Sequence, residues 1–332
     1  MMNNAQNGFI TKKVNNIWQG NVHPFFSVIT PVYNRLETIR RTIESVKSQT
    51  FKDFEYIIVD DGSIPTQSID DIICDFMKNV SFPVMYLKKE NGGVHTARNL
   101  SYEYARGKMV VCIDSDDELL PQCLEIFHDA WETVPENERS LYWQIKAQCV
   151  DQNGKITGTL FPSEINTMPL TQRKKSFSLA KGEQIGCRLT KILKENRFPE
   201  PEGVKFVGEN LLWVRLENKY LSWGLNEPVC IYYTGREDGL CNNRKVKSIQ
   251  NCKDAMWNAM YELNNYKEYS CRGKRYIATM LRYSIMRHII RRHETSFCHG
   301  NRLYGAKNRL WELLFWLPTY FGAKIYKKKR MK

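Results

Sequence analysis

Four short apolar runs recur along the first third of the chain, at residues 26–30, 56–59, 84–87 and 109–113. Each is rich in β-branched or aromatic residues and bounded by polar or turn-forming positions, which predicts strands buried on both faces. Helical spacing fills the gaps between them. Leu36, Ile39, Ile43 and Val46 form one stripe, and Ile69, Ile72, Ile73 and Phe76 form another. Strands alternating with amphipathic helices predict an α/β fold, with a mostly parallel sheet covered by helices. Pro121 suits the first turn of a further helix carrying Leu124, Phe127 and Trp131.

Beyond residue 130 the pattern is mixed. Residues 141–150 and 229–233 read as strands, Asp151-Gln152-Asn153-Gly154 as a turn and residues 211–219 as a helix. Residues 165–180 have the composition of a loop and contain the basic run Arg173-Lys174-Lys175. From Arg275 to Arg292, Ile277, Leu281, Ile285 and Ile289 repeat every four residues, with Arg282, Arg287 and Arg291 at other angles of the same predicted helix.

At 332 residues and 42% apolar content the chain can bury a full core and carry an appendage. The first 22 residues are polar and lack the apolar stretch of a signal peptide. No window reaches the roughly 18 to 20 unbroken apolar residues of a membrane span. The ten cysteines show no paired metal-binding spacing, so reduced thiols and a cytoplasmic setting are expected rather than zinc. The net charge of +13 sits at one end: residues 270–332 carry 16 Lys and Arg against Glu294 and Glu312, leaving residues 1–269 at −1. Chemistry and attachment to an anionic partner are thereby separated along the chain.

Candidate chemistry follows the predicted strands. Asp114-Ser115-Asp116-Asp117 comes directly after the fourth run. Clustered carboxylates at a strand end repel one another; one reading is a solvated acidic turn, the other a bound divalent cation, for which oxygen ligands suit Mg²⁺ or Mn²⁺. Asp60 and Asp61 follow the second run, and Pro31, Tyr33 and Asn34 follow the first. In open α/β sheets ligands bind outside the carboxyl ends of the strands, so three polar clusters are expected to converge on one crevice.

The order of these pieces resembles the nucleotide-sugar glycosyltransferases of family 2, whose fold is known as GT-A. The resemblance is carried by Ser27-Val28-Ile29-Thr30-Pro31-Val32-Tyr33-Asn34, Val59-Asp60-Asp61-Gly62-Ser63, Asn91-Gly92-Gly93-Val94-His95-Thr96-Ala97-Arg98-Asn99 and the acidic cluster, over residues 25 to about 130. A stretch from Phe198-Pro199-Glu200 through Lys205-Phe206-Val207-Gly208-Glu209-Asn210-Leu211-Leu212-Trp213 resembles the acceptor half of one branch of that family. The implied organisation is a polar segment (1–22), a GT-A domain (23–240, with its nucleotide-sugar half at 23–130 and its acceptor half at 131–240) and a basic, amphipathic helical extension (241–332).

The resemblance also implies roles. Asp116, with Asp114, holds Mn²⁺ or Mg²⁺ against the diphosphate leaving group; Pro31, Tyr33, Asp60, Asp61, Arg98, Asp114, Ser115 and Asp117 face the donor. Tyr33 stacks on the base, Asp61 bonds the nucleoside, and Arg98 suits bidentate contact with phosphate. Asp117 either touches the donor sugar or supports its neighbours. Gly92 and Gly93 offer backbone N–H groups to phosphate at a helix start, whereas His95 reads as solvent-facing or otherwise satisfied. Many family members carry Glu-Asp at the acceptor motif, commonly with the second acid as base. Here the pair is Glu209-Asn210, which leaves Glu209 as the candidate base for an inverting transfer.

The implied activity is an inverting, metal-dependent transfer from a nucleoside-diphosphate sugar, UDP by family frequency, to a glycan or lipid-linked glycan in bacterial surface polysaccharide synthesis. A non-catalytic nucleotide- or glycan-binding protein of the same fold is the alternative that the Glu209-Asn210 departure leaves open. A nucleotidyltransferase would want a glycine- and lysine-rich loop that residues 27–40 lack. In the tail, Leu310-Trp311-Glu312-Leu313-Leu314-Phe315-Trp316-Leu317 precedes Pro318, and the chain ends near Tyr326-Lys327-Lys328-Lys329-Arg330. That pattern suits either peripheral contact with an anionic membrane surface on the inner face of the cell membrane or packing on the catalytic domain. It carries no nucleic-acid motif.

Overall fold

The structure, a computed structural model, describes residues 11–20, 22–169, 172, 176–177, 180–235, 248–265, 267–269, 273–291, 293–303, 308, 310 and 312. The chain divides into two compact units, residues 1–197 with 219–234, and residues 198–218 with 235–332.

In the first unit the described strands are β1 Thr11–Val14, β2 Phe26–Val32, β3 Phe54–Asp60, β4 Val84–Lys88, β5 Met109–Cys112, β6 Glu118–Leu119, β7 Tyr142–Val150, β8 Gln184–Leu189 and β9 Leu221–Ile231. They form one sheet in the order β1-β4-β3-β2-β5-β8-β7-β9-β6. The four strands from β4 to β5 are mutually parallel, in registers that pair Val32 with Asp60, Asp60 with Lys88 and Ile29 with Cys112. Their carboxyl ends therefore share one rim. Beyond β5 the sheet is mixed, with β8 antiparallel to β5 and β7, and β9 parallel to β7.

Burial explains the near-continuous apolar strands. β2 and β3 are buried along their whole lengths because helices cover both faces. Helices α1 Ile39–Lys47, α2 Asp70–Lys78 and α4 Cys123–Thr133 bury Ile39, Ile43, Val46, Ile73, Phe76, Leu124, Phe127 and Trp131 in one core with Val28, Ile58 and Val111. Helix α3 Val94–Tyr104 lies against β2 and β3 and also contacts α5 Thr190–Glu195. Each large apolar side chain so enclosed contributes about 1.5–3 kcal/mol.

The four apolar runs are strands as expected. Pro121 differs slightly: the helix begins at Cys123, and the Pro121 carbonyl accepts the Thr50 N–H at 2.9 Å. Strands β1 and β8 and the first part of β9 lacked an apolar signature. β1 is an exposed edge strand, Thr-Lys-Lys-Val, paired antiparallel with β4. β9 contains Gly224, Asn226 and Pro228, which read as breakers. It persists because side chains replace ladder partners. Asn166 accepts the Gly224 N–H and donates to its carbonyl, and Asn226 does the same for Phe161. The run 173–175 lies outside the described residues.

The second unit contains α6 Asn210–Lys219, α7 Ile249–Asn264, α8 Gly273–Ile290 and α9 Thr295–Gly300. Residues 198–218, grouped by sequence with the sheet domain, cluster instead with the C-terminal helices. Helix α7 opens with Ser248 accepting the Asn251 N–H, packs against α8 and buries Cys252, Met256 and Met260. Here the predicted stripe is corrected. Helix α8 buries Tyr276, Met280, Tyr283, Met286, Ile289 and Ile290; of the predicted stripe only Ile289 is buried, while Ile277 is 39% exposed and Leu281 and Ile285 are half-buried. Aromatic and Met side chains make up much of the buried face of α8, a role that four-residue isoleucine spacing did not reveal. Among the described residues no helix is long and apolar enough to cross a membrane. Most of the apolar run at 310–317 and all of 326–330 lie outside the described residues.

Candidate active site

Parallel pairing brings the loops after β2, β3 and β5 side by side, and direct hydrogen bonds tie them together. The Asp61 N–H bonds the Val32 carbonyl at 2.8 Å. Asn34 donates its N–H to Ser63 Oγ at 2.9 Å and accepts the Ile64 N–H on Oδ1 at 3.0 Å. Asn34 adopts a φ of 52°, a left-handed conformation that Asn tolerates better than most residues. Gly62, at φ 75°, is required twice over, since a Cβ there would lie 2.5 Å from the Asn91 amide nitrogen.

Helix α1 secures the acidic loop from one side. Thr38 Oγ1 donates to the Ser115 carbonyl and Thr42 Oγ1 to the Asp117 carbonyl, each at 2.8 Å. Arg41 donates to the Asp116 carbonyl and stacks 3.5 Å from the centroid of the Tyr233 ring. The Tyr233 N–H reaches Asp117 Oδ1 at 3.0 Å, and its hydroxyl donates to Glu118 Oε1 at 2.6 Å. That bond to Glu118, reinforced by burial, raises the Tyr233 phenol above its ordinary value.

The four acidic-loop residues are not equivalent. Asp114 has a side chain 50% exposed and pairs with Arg98 Nη2 at 3.0 Å. Asp116 is 23% exposed and lies 3.6 Å from Arg35 Nε. Asp117 is buried, and burial pushes its carboxyl up to about 8; the Tyr233 N–H opposes this, and the charges of Asp114 and Asp116 add to it. Ser115 is buried, with its carbonyl taken by Thr38. The reachable anionic oxygens are thus those of Asp114 and Asp116. Among the described residues no group of three or more His, Cys, Asp or Glu side chains could hold a metal. Two carboxylates nevertheless fit a hard cation that keeps water and phosphate oxygens as its other ligands.

Asp61 behaves differently from its sequence expectation. Only 2% exposed, it accepts the N–H groups of Gly92 at 2.9 Å and Gly93 at 2.7 Å, the Asn91 amide and Lys89 Nζ at 2.6 Å. Gly93, the N-cap of α3 at φ 99°, aims its amide inward. The anion at that helix start is therefore the protein's own carboxylate, and the Gly92 and Gly93 amides are engaged before any phosphate arrives. Asp60 is fully buried, accepting the Ser63 N–H at 2.8 Å and the Tyr86 hydroxyl at 3.2 Å. Pro31 is buried within β2. Both shape the rim from inside. Tyr33 is 44% exposed, and His95 is buried rather than solvent-facing. Sequence reasoning passed over Arg35, Arg41, Lys89 and Tyr233, whose basic or aromatic character has no meaning until the loops are brought together.

Glu209 belongs to the second unit. It stands one residue before α6, half-buried, and its Oε2 accepts the Trp213 indole N–H at 2.9 Å. Trp213 is held edge-on to Phe198 at a 5.5 Å centroid distance, which fixes the orientation of that carboxylate.

Comparison with known proteins agrees with this arrangement. Residues 27–185 match Glycosyl transferase family 2. An uncharacterized glycosyltransferase of Rickettsia bellii (strain RML369-C) is 30% identical over 212 residues, 61% of this chain and 28% of the relative. The GalNAc(5)-diNAcBac-PP-undecaprenol beta-1,3-glucosyltransferase of Campylobacter jejuni is 28% identical over 229 residues, 65% of this chain and 67% of the relative. The chain thus spans about a third or less of the length of the rickettsial relatives it matches. The crystal structure of S. aureus TarS 1-349 in complex with UDP-GlcNAc superposes with a TM-score of 0.52 at 17% identity, covering 90% of this chain and 91% of that one, a likeness of fold. The matched residues contain β2 to β5 and the entire acidic loop, so residues 27–185 form a family 2 glycosyltransferase region on a sheet of GT-A fold.

Proposed function

We propose that the chain is an inverting, metal-dependent glycosyltransferase that moves a sugar from a nucleoside-diphosphate donor, a UDP-sugar in the first instance, to a lipid-linked glycan in bacterial surface polysaccharide synthesis. One observation carries this reading: two reachable carboxylates, Asp114 and Asp116, each held by an arginine, stand where the loops after β2, β3 and β5 are cross-linked. Support for the acceptor class comes from the Campylobacter relative, whose name specifies a lipid-linked substrate.

Asp116 and Asp114 would hold Mg²⁺ or Mn²⁺, which when bound neutralises charge on the departing diphosphate. Arg98 and Arg35 pair with those carboxylates and orient them before the donor binds, and their forks can then turn to phosphate oxygens. Tyr33 offers its exposed ring to the base. Asp61 and Lys89 hold the 89–93 loop against the rim, so the donor meets a preformed wall. Glu209, oriented by Trp213, is the candidate that accepts the proton of the attacking hydroxyl. Contact with an anionic membrane through the basic C-terminal region would bring the enzyme to its acceptor.

The test is turnover of a panel of nucleotide sugars with Mn²⁺ in the presence of lipid-linked acceptor. Activity lost on chelation and in Asp116→Ala, with Glu209→Gln lowering kcat more than donor affinity, supports the proposal. Donor binding without transfer or hydrolysis under any of these conditions would favour a non-catalytic nucleotide-binding protein.

A further inference from the structure

The second unit contains a basic cleft unrelated to the carboxylate rim. Ser284, Arg287, His288 and Arg291 line it from the C-terminal end of α8, and Glu312 closes it. The Ser284 side chain is 4% exposed, and its hydroxyl has no hydrogen-bond partner among the described residues. A buried hydroxyl without a partner loses its hydration with nothing in return, so such a group inside a cleft is better explained by a ligand than by packing. Beside it, Arg287 pairs with the Glu312 carboxylate, one of the two acids among residues 270–332. Arg291 is exposed. The cleft already attracts one anionic group from 25 residues along the chain and retains more positive than negative charge.

We propose that this cleft binds a phosphate group, with the Arg287 and Arg291 guanidinium groups and the Ser284 hydroxyl as donors and Glu312 as an internal anion that the phosphate displaces. Arginine forks match tetrahedral oxyanions, and a serine hydroxyl within the cleft can donate a further bond. Two sources present such a phosphate: a phospholipid headgroup, or a soluble phosphate or diphosphate. Both present the same oxygens. The inference stands whether or not the sheet unit transfers sugar.

The experiment uses the full chain with chelator present, so that metal-dependent binding at the carboxylate rim does not contribute. Inorganic pyrophosphate is titrated by calorimetry, and vesicles of phosphatidylglycerol or of phosphatidylcholine are tested by flotation. Arg291→Gln, at an exposed position that leaves the fold intact by circular dichroism, should weaken anion binding about tenfold. Glu312→Gln removes the competitor and should strengthen binding several-fold. Those opposite responses separate a binding site from a structural ion pair, whose loss would only destabilise. Both responses with free pyrophosphate identify a soluble phosphate site. Both with phosphatidylglycerol vesicles alone identify a headgroup site. Anion and vesicle binding unchanged in both variants, or weakened in both, overturns the proposal.

Discussion

Asp61→Asn separates two roles that one carboxylate could play. In this structure both carboxylate oxygens are committed to protein donors: Gly92 and Lys89 on Oδ1, Gly93 and Asn91 on Oδ2. Asparagine has one acceptor oxygen and an NH₂ group, so one of the two glycine amides would face a donor. An unsatisfied buried N–H costs about 1–3 kcal/mol, and losing the ionic partner of Lys89 adds to it. A total near 3 kcal/mol is expected, a large share of the roughly 5–15 kcal/mol that holds a typical domain together. For a domain of this size that corresponds to a fall in Tm of roughly 6–12 °C. Differential scanning calorimetry of the free protein measures it, and hydrogen exchange should show the loss concentrated at residues 89–93. Nucleotide affinity is measured below the transition of the variant. A Tm within 2 °C of the parent, together with loss of nucleotide binding, would refute the anchoring argument and make Asp61 a ligand contact.

Three further outcomes follow from particular contacts. Glu55 is fully buried and accepts Ser27 Oγ at 2.7 Å together with the Arg106 backbone and side chain. Arg106→Met should therefore destabilise by about 3–5 kcal/mol in urea denaturation, and adding Glu55→Gln should restore part of the loss, because the first change alone strands a charge. Burial alone would raise the Asp70 carboxyl, but hydrogen bonds from Lys88, Tyr86 and Ser68 outweigh it and hold the group at about 2. A folded pKa below the unfolded one adds stability above about pH 4 that disappears as pH falls towards 2. Asp70→Asn should flatten the thermal-stability profile in that window and leave its shape above pH 5 unchanged; an unaltered acid limb would refute it. Tyr233→Phe keeps the Asp117 contact, which uses the backbone, and loses only the bond to Glu118. Its Tm should drop by no more than a few degrees, and a larger fall would show that the hydroxyl anchors the β9 end of the rim.

Local pattern was enough for much of this protein. Apolar runs gave β2 to β5, since strands buried on both faces must be apolar throughout, and helical periodicity gave α1, α2 and α4. The ordered motifs gave the family, because each marks the carboxyl end of a strand and parallel pairing leaves those ends on one rim. What the chain could not disclose was who pairs with whom. Asp60, Asp61, Asp114, Asp116 and Asp117 are five identical side chains in sequence. Folding turns the first two into buried anchors, leaves Asp114 exposed and Asp116 half-buried beside arginines, and buries the last with its carboxyl pushed up to about 8. The difference arises from donors many residues away, such as the Gly92 amide, Arg35 and the Tyr233 N–H, whose proximity only the sheet creates. β9 keeps Gly224 in a strand because the distant Asn166 side chain bonds both its backbone groups, its Asn226 side chain clasps the backbone of Phe161, and α8, packed against α7, buries aromatic and Met side chains. A residue's type fixes what it can bond or bury; distant segments decide which of those options it takes.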